Sequence, residues 1–132
     1  MASLIDSSAV IAIIDEADPE HDRATAWFGR ARVQRETLIM HSYVAEEASM
    51  LIQRRLGPTA LRAFHQELAP LFEFVVVDRG THDAAVAALL AALPTKTSLI
   101  DYVSFEVMRE RGIRRAFAFD PDFATAGFET VP

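Results

Sequence analysis

Short apolar runs alternate along this chain with segments of helical periodicity, and four of the junctions carry carboxylates. They are Ser3-Leu4-Ile5-Asp6, Val44-Ala45-Glu46-Glu47, Ser98-Leu99-Ile100-Asp101 and Ala118-Phe119-Asp120-Pro121-Asp122. The alternation restricts the fold more than any other property. Parallel strands need long crossover connections, which helices supply, and strands covered on both faces read as near-continuous apolar runs. The expectation is an α/β fold: a single domain over residues 1–132, with a mainly parallel, twisted sheet of four to five strands flanked by helices.

Strands are expected at Ala2–Ile5, Thr37–Met40, Phe72–Val77, Ala116–Phe119 and, as a final edge, Phe128–Val131. Helices are expected at Ser7–Ile14, Glu20–Arg32, Tyr43–Arg55 capped by Ser42, Thr59–Leu71, Thr81–Leu93 and Ser98–Arg111, with a helical turn at Pro121–Thr125. Gly57-Pro58 and Pro94-Thr95 break the helical pattern, and Gly112 supplies a left-handed stop.

Composition narrows the function. No apolar run approaches the roughly 18 residues of a membrane span, Asp6 interrupts the only signal-like start, and there is no cysteine for a disulfide framework or thiolate zinc site. A soluble cytoplasmic protein with no membrane partner is expected. The net charge of −6 argues against coating nucleic acid by bulk electrostatics. Setting aside Asp6, Glu47, Asp101, Asp120 and Asp122, however, leaves the chain close to neutral. The acidity is concentrated in the junctions, so an RNA substrate stays open.

Each acid has an ordinary structural reading. Asp6, Asp120 and Asp122 suit helix N-termini, and Ser98-x-x-Asp101 has capping-box spacing. Helical phase separates the glutamate doublet: Glu47 shares a stripe with Val44, Ala48 and Leu51, whereas Glu46 falls with Ser49, Met50 and Gln53. Glu47 thus interrupts an apolar face, where a lone carboxylate is costly unless paired with an Arg or bound to a metal. Taken together, the acids converge on the crevice beyond the carboxyl ends of a parallel sheet. Carboxylates that close repel one another, and Mg²⁺ or Mn²⁺ held by hard oxygen ligands removes that penalty while supplying phosphoryl-transfer chemistry.

These segments, in order and over essentially the whole chain, resemble a PIN-domain nuclease, and within that group a VapC-type toxin of a bacterial toxin–antitoxin pair. Leu4-Ile5-Asp6-Ser7-Ser8-Ala9 is similar to the first family motif and Ser42-Tyr43-Val44-Ala45-Glu46-Glu47 to the second. Ser98-Leu99-Ile100-Asp101-Tyr102-Val103-Ser104-Phe105 and Ala118-Phe119-Asp120-Pro121-Asp122-Phe123 are similar to the third and fourth. Ala118 stands where relatives often carry Thr or Ser. The resemblance implies an endoribonuclease dependent on Mg²⁺ or Mn²⁺ that cleaves structured RNA such as a tRNA or rRNA loop. It further implies a homodimer and a cognate antitoxin whose tail enters the acidic groove. Asp6, Glu47 and Asp101 are then the core metal ligands and catalytic acids. Asp120 binds directly or through water, Asp122 supports, and Ser8 holds a ligand or the attacking water.

Arg54, Arg55 and Arg62 cluster around Gly57 as candidate RNA contacts or as a solvated face. The apolar positions Leu61, Phe64 and Leu68 suit either a dimer interface or the core, and Trp27 and Phe28 suit packing. The four histidines show no ligand spacing. Two other functions remain: a phospho-receiver-like signalling module with Asp78 as acceptor and Lys96 as its partner, and a catalytically inactive PIN-like binding domain.

Overall fold

The computed structural model describes all 132 residues. Five strands, β1 Ala2–Ile5, β2 Thr37–His41, β3 Glu73–Val75, β4 Arg115–Phe117 and β5 Glu129–Val131, form one sheet in the order β3-β2-β1-β4-β5. All four pairings are parallel. Between the strands run α1 Ser7–Ile14, α2 His21–Val33, α3 Ser42–Arg55, α4 Pro58–Ala63, α5 Arg79–Ala92, α6 Leu99–Arg111 and α7 Asp122–Thr125.

Strand residues alternate between two cores. Ile5, Leu38, Met40 and Phe117 pack with α1, α2 and α3 on one face, while Leu4, Ile39, Ala116 and Ala118 pack with α5 and α6 on the other. This two-sided burial is why the strands read as unbroken apolar runs. The chain starts in the middle of the sheet, builds outward to β3, then crosses back to β4. Strand order therefore reverses between β1 and β4, which opens a crevice beyond their carboxyl ends.

Several elements differ from the sequence reading. The helix expected over Thr59–Leu71 is α4 followed by a π turn at Phe64–Leu68 and a 3₁₀ turn at Ala69–Leu71. Pro70 lacks an N–H and its ring clashes with the preceding turn, so regular α geometry cannot run through it. Phe64 and Leu68 lie in the core, with Leu61 packed against it, so this stripe is interior rather than an interface. Trp27 is also core, packed on Phe117 at a centroid distance of 4.4 Å. The strand expected over Phe72–Val77 shrinks to Glu73–Val75 because β2 ends at His41, opposite Val75. Beyond that register Val76 has no strand beside it, and the Val77 amide donates to Ser42 Oγ at 3.0 Å. His41, not Ser42, caps α3: its Nδ1 accepts from the Tyr43 and Val44 amides. Ser98 and Gly112 cap α6 as expected, Gly112 with a φ of 66°.

Candidate active site

Asp6 leaves the end of β1 and caps α1, accepting from the Ser8 amide. The Ser8 hydroxyl donates to Asp6 Oδ2 at 2.6 Å and accepts from the Phe119 amide at 3.0 Å. One serine thus ties the carboxylate after β1 to the loop after β4. That loop carries Asp120, whose Oδ1 accepts from the Asp122 amide at 2.9 Å. Asp122 in turn accepts from Thr97 Oγ1 at 3.2 Å, just ahead of α6.

Asp101 sits in the first turn of α6. Its amide donates to Ser98 Oγ at 3.2 Å, which completes half of a capping box. Its carboxylate in turn meets the Ser98 backbone amide, so the side chain serves the capping box as well as facing the cleft. Asp101 is nevertheless 92% shielded from solvent and Asp6 96%. Glu47 is half-buried where helical phase put it, with Glu46 exposed beside it. Ser7 Oγ donates to Glu47 Oε1 across the α1–α3 contact.

The acids converge. One oxygen each from Asp101, Asp120 and Asp122 lie within 4.8 Å of one another. Asp6, Glu47, Asp101 and Asp120 all line a single cleft of about 440 Å³ at the β1/β4 crevice. Burial, opposed by the Ser8 hydrogen bonds and reinforced by Asp120 and Glu47, pushes Asp6 up to about 6. Burial, reinforced by Asp6, Asp120 and Asp122 and opposed by the Ser98 backbone amide, pushes Asp101 up to about 7. Buried carboxylates that repel across a shared cavity fit a hard divalent cation by donor type and by charge. Asp122 does not line the cleft but joins Asp101 and Asp120 in the close carboxylate cluster.

Arg55 lines the cleft, two turns beyond Glu47 on α3. Arg54 is exposed outside it, and Arg62 borders a separate shallow groove near Pro58. Asp78 caps α5, accepting from the Thr81 amide at 2.8 Å, and borders a separate groove with Tyr43 and His82; the backbone and side-chain hydrogen bonds of Thr81 hold its carboxyl below the usual range. It has no place in the cleft as a phosphoacceptor. Sequence reasoning missed Ser7, which reads as an ordinary first residue of a helix, and the cleft-lining Asp18 and Glu20 in the α1–α2 turn.

Comparison with known proteins finds relatives over the whole chain. The family model described as PIN domain matches residues 3–129. The chain is 31% identical over 129 residues to the 23S rRNA-specific endonuclease VapC20 of Mycobacterium tuberculosis, in strains CDC 1551/Oshkosh and ATCC 25618/H37Rv, covering 96% of this chain and 95% of the relative. The crystal structure of M. tuberculosis VapC20, described as a sarcin–ricin loop cleaving toxin, superposes with a TM-score of 0.86 at 28% identity over 100% of both chains. The structure of FitAB bound to an IR36 DNA fragment superposes with a TM-score of 0.73 at 13% identity, over 98% of this chain and 93% of that one, and shows the shared fold.

Proposed function

Because the chain belongs to the PIN-domain family, we propose that it is a metal-dependent endoribonuclease acting as the toxin of a type II toxin–antitoxin pair. The observation that carries the chemistry is the convergence of Asp6, Glu47, Asp101 and Asp120 on one cleft, with Asp122 clustered against Asp101 and Asp120. Asp6, Glu47 and Asp101 are the core ligands for Mg²⁺ or Mn²⁺, with Asp120 direct or through water and Asp122 in support. When bound, such an ion neutralises the acids, polarises a phosphoryl oxygen and lowers the pKa of water.

The remaining work belongs to the chain. Ser8 orients Asp6, and Ser7 orients Glu47, so both carboxylates are held before substrate arrives. Arg55, which lines the same cleft, is the candidate to meet a phosphate, since a guanidinium forms paired hydrogen bonds to phosphate oxygens. The relatives' activity supports a structured RNA, an rRNA loop in particular, as substrate. A cognate antitoxin that presents a basic segment to the cleft, and assembly as a homodimer, follow from the same reading. No helix is long and apolar enough to cross a membrane, and a cytoplasmic site of action fits an rRNA substrate.

The test is cleavage of rRNA by purified protein with and without Mg²⁺ or Mn²⁺. Cleavage that requires the ion and vanishes in Asp6→Asn supports the reading. Cleavage that persists in EDTA contradicts it.

A further inference from the structure

Beside the acidic cleft, and sharing Glu47 with it, lies a second cavity of about 330 Å³ lined by Tyr43, Glu46, Glu47, Met50 and Ile100. Four of these residues stand at i, i+3, i+4 and i+7 on α3 and so form one face of that helix; Ile100 closes the cavity from the first turn of α6. The lining is an aromatic ring, a thioether, a branched aliphatic chain and the two carboxylates of Glu46 and Glu47.

Two features distinguish this cavity from a casual dimple. The Tyr43 ring is held: its hydroxyl is hydrogen-bonded to His82 Nδ1 at 2.6 Å, and the rings of His82 and His41 stand nearly perpendicular to it at centroid distances of 5.9 and 6.2 Å. A fixed aromatic face is a stacking platform. The Glu46 carboxylate is exposed, forms no ion pair and accepts no hydrogen bond. It offers acceptors only.

We propose that this cavity is a nucleobase subsite selective for guanine, which holds the base of a nucleotide adjoining the bond cut in the acidic cleft. The inference rests on the nuclease reading and deepens it. Because Glu47 lines both, the cavity adjoins the acidic cleft, and a nucleotide whose phosphate sits among the acids has its base on this side. Along α3, Tyr43 and Arg55 lie on opposite sides of Glu47, roughly 6 and 12 Å away at 1.5 Å per residue, so the base and the neighbouring phosphate diverge from the reacting bond in opposite directions. Guanine is selected because its Watson–Crick edge presents two adjacent donors, N1–H and the 2-amino group, to one carboxylate. Adenine and cytosine each place an acceptor beside their single amino group, and uracil flanks its N3–H with two carbonyls. Flipped or single-stranded bases are read in this way, by stacking plus edge hydrogen bonds.

The experiment uses the full chain labelled with ¹³C at the methionine methyls and titrates GMP, IMP and AMP. A base stacked on Tyr43 shifts the Met50 methyl by ring current, while Met40 and Met108, both fully buried, stay still. GMP is expected to bind about tenfold tighter than AMP, in line with the discrimination of a paired edge contact, with IMP between them. Glu46→Gln, an exposed substitution, is expected to bring the three affinities together, and Tyr43→Ala to abolish the shift. The same variants are then compared on RNA oligonucleotides that differ by one base at the cleavage site, where the guanine-to-adenine ratio of kcat/KM falls about tenfold in Glu46→Gln. Equal response to GMP and AMP, or no Met50 response, overturns the proposal. A Met50 signal that changes only with protein concentration also overturns it and assigns the cavity to a second copy of the chain. RNA cleavage without a GMP response rejects the base subsite alone; a selective GMP response without cleavage rejects the nuclease reading instead.

Discussion

Ser8 joins two carboxylate-bearing loops through a single oxygen, donating to Asp6 Oδ2 at 2.6 Å while accepting from the Phe119 amide at 3.0 Å. Accepting from the amide leaves the hydroxyl proton free for Asp6, so the position of that carboxylate is referenced to the loop that carries Asp120. The β1/β4 crevice is thereby braced across its floor.

Removing that brace has a defined consequence. Ser8→Ala is expected to lower activity or apparent metal affinity by about 10- to 100-fold, as loss of a ligand-orienting partner does. Its effect on stability is expected to be small, about 1 kcal/mol for one hydrogen bond. Metal-dependence curves and a thermal melt, taken together, check both parts.

Ser7→Ala frees Glu47 from its hydrogen bond and leaves the neighbouring helices in place. The expected result is a rise of about tenfold or more in the Mg²⁺ concentration for half-maximal cleavage, with activity recovered at saturating ion. An unchanged metal requirement would show that Glu47 is not a ligand.

The raised carboxyls make a pH prediction for the protein in EDTA. A carboxyl whose folded pKa lies above its unfolded value favours the folded state while protonated; that contribution is complete at acid pH and lost as pH rises through the folded pKa. With Asp6 at about 6 and Asp101 at about 7, metal-free protein loses stability between roughly pH 4 and 7. Asp101→Asn removes one of these charges and is expected to melt a few degrees, on the order of 2–5 °C, above wild type at pH 8, with the gap closing towards pH 4. Buried His41, pushed down to about 4 by desolvation, has the opposite sign, but it is common to both proteins and cancels in the comparison.

Arg55 lines the cleft and Arg54 does not. Arg55→Ala is expected to raise KM for RNA several-fold and to reduce its salt dependence by about one phosphate contact, with Arg54→Ala close to wild type. Steady-state kinetics at two salt concentrations separate them.

Much of this was legible in the sequence because it depends on local rules. Helical phase alone chose Glu47 over Glu46, and apolar runs gave the parallel sheet and the crevice that collects acids from strand ends. What was not legible depended on neighbours. The length of β3 is limited by where β2 stops, so the most β-like run in the chain, Phe72–Val77, became a three-residue edge. His41, beyond the expected strand Thr37–Met40 and read only as a histidine without ligand spacing, ends β2, caps α3 and bonds Ser104 Oγ at 2.7 Å inside the core. Ser7 carried no signal because its function is defined by Glu47, forty residues away. The Leu61, Phe64 and Leu68 stripe, which suited interface or core equally, is assigned to the core by the elements packed over it.

The central claim is that Asp6, Glu47, Asp101 and Asp120 act on one shared cation, and Mn²⁺ titration followed by electron paramagnetic resonance reads it directly. Wild type is expected to bind Mn²⁺ saturably, and Asp6→Asn, Asp101→Asn and Asp120→Asn each to weaken that binding by about tenfold or more while remaining folded. Mn²⁺ binding of equal strength in wild type and all three variants would contradict the account.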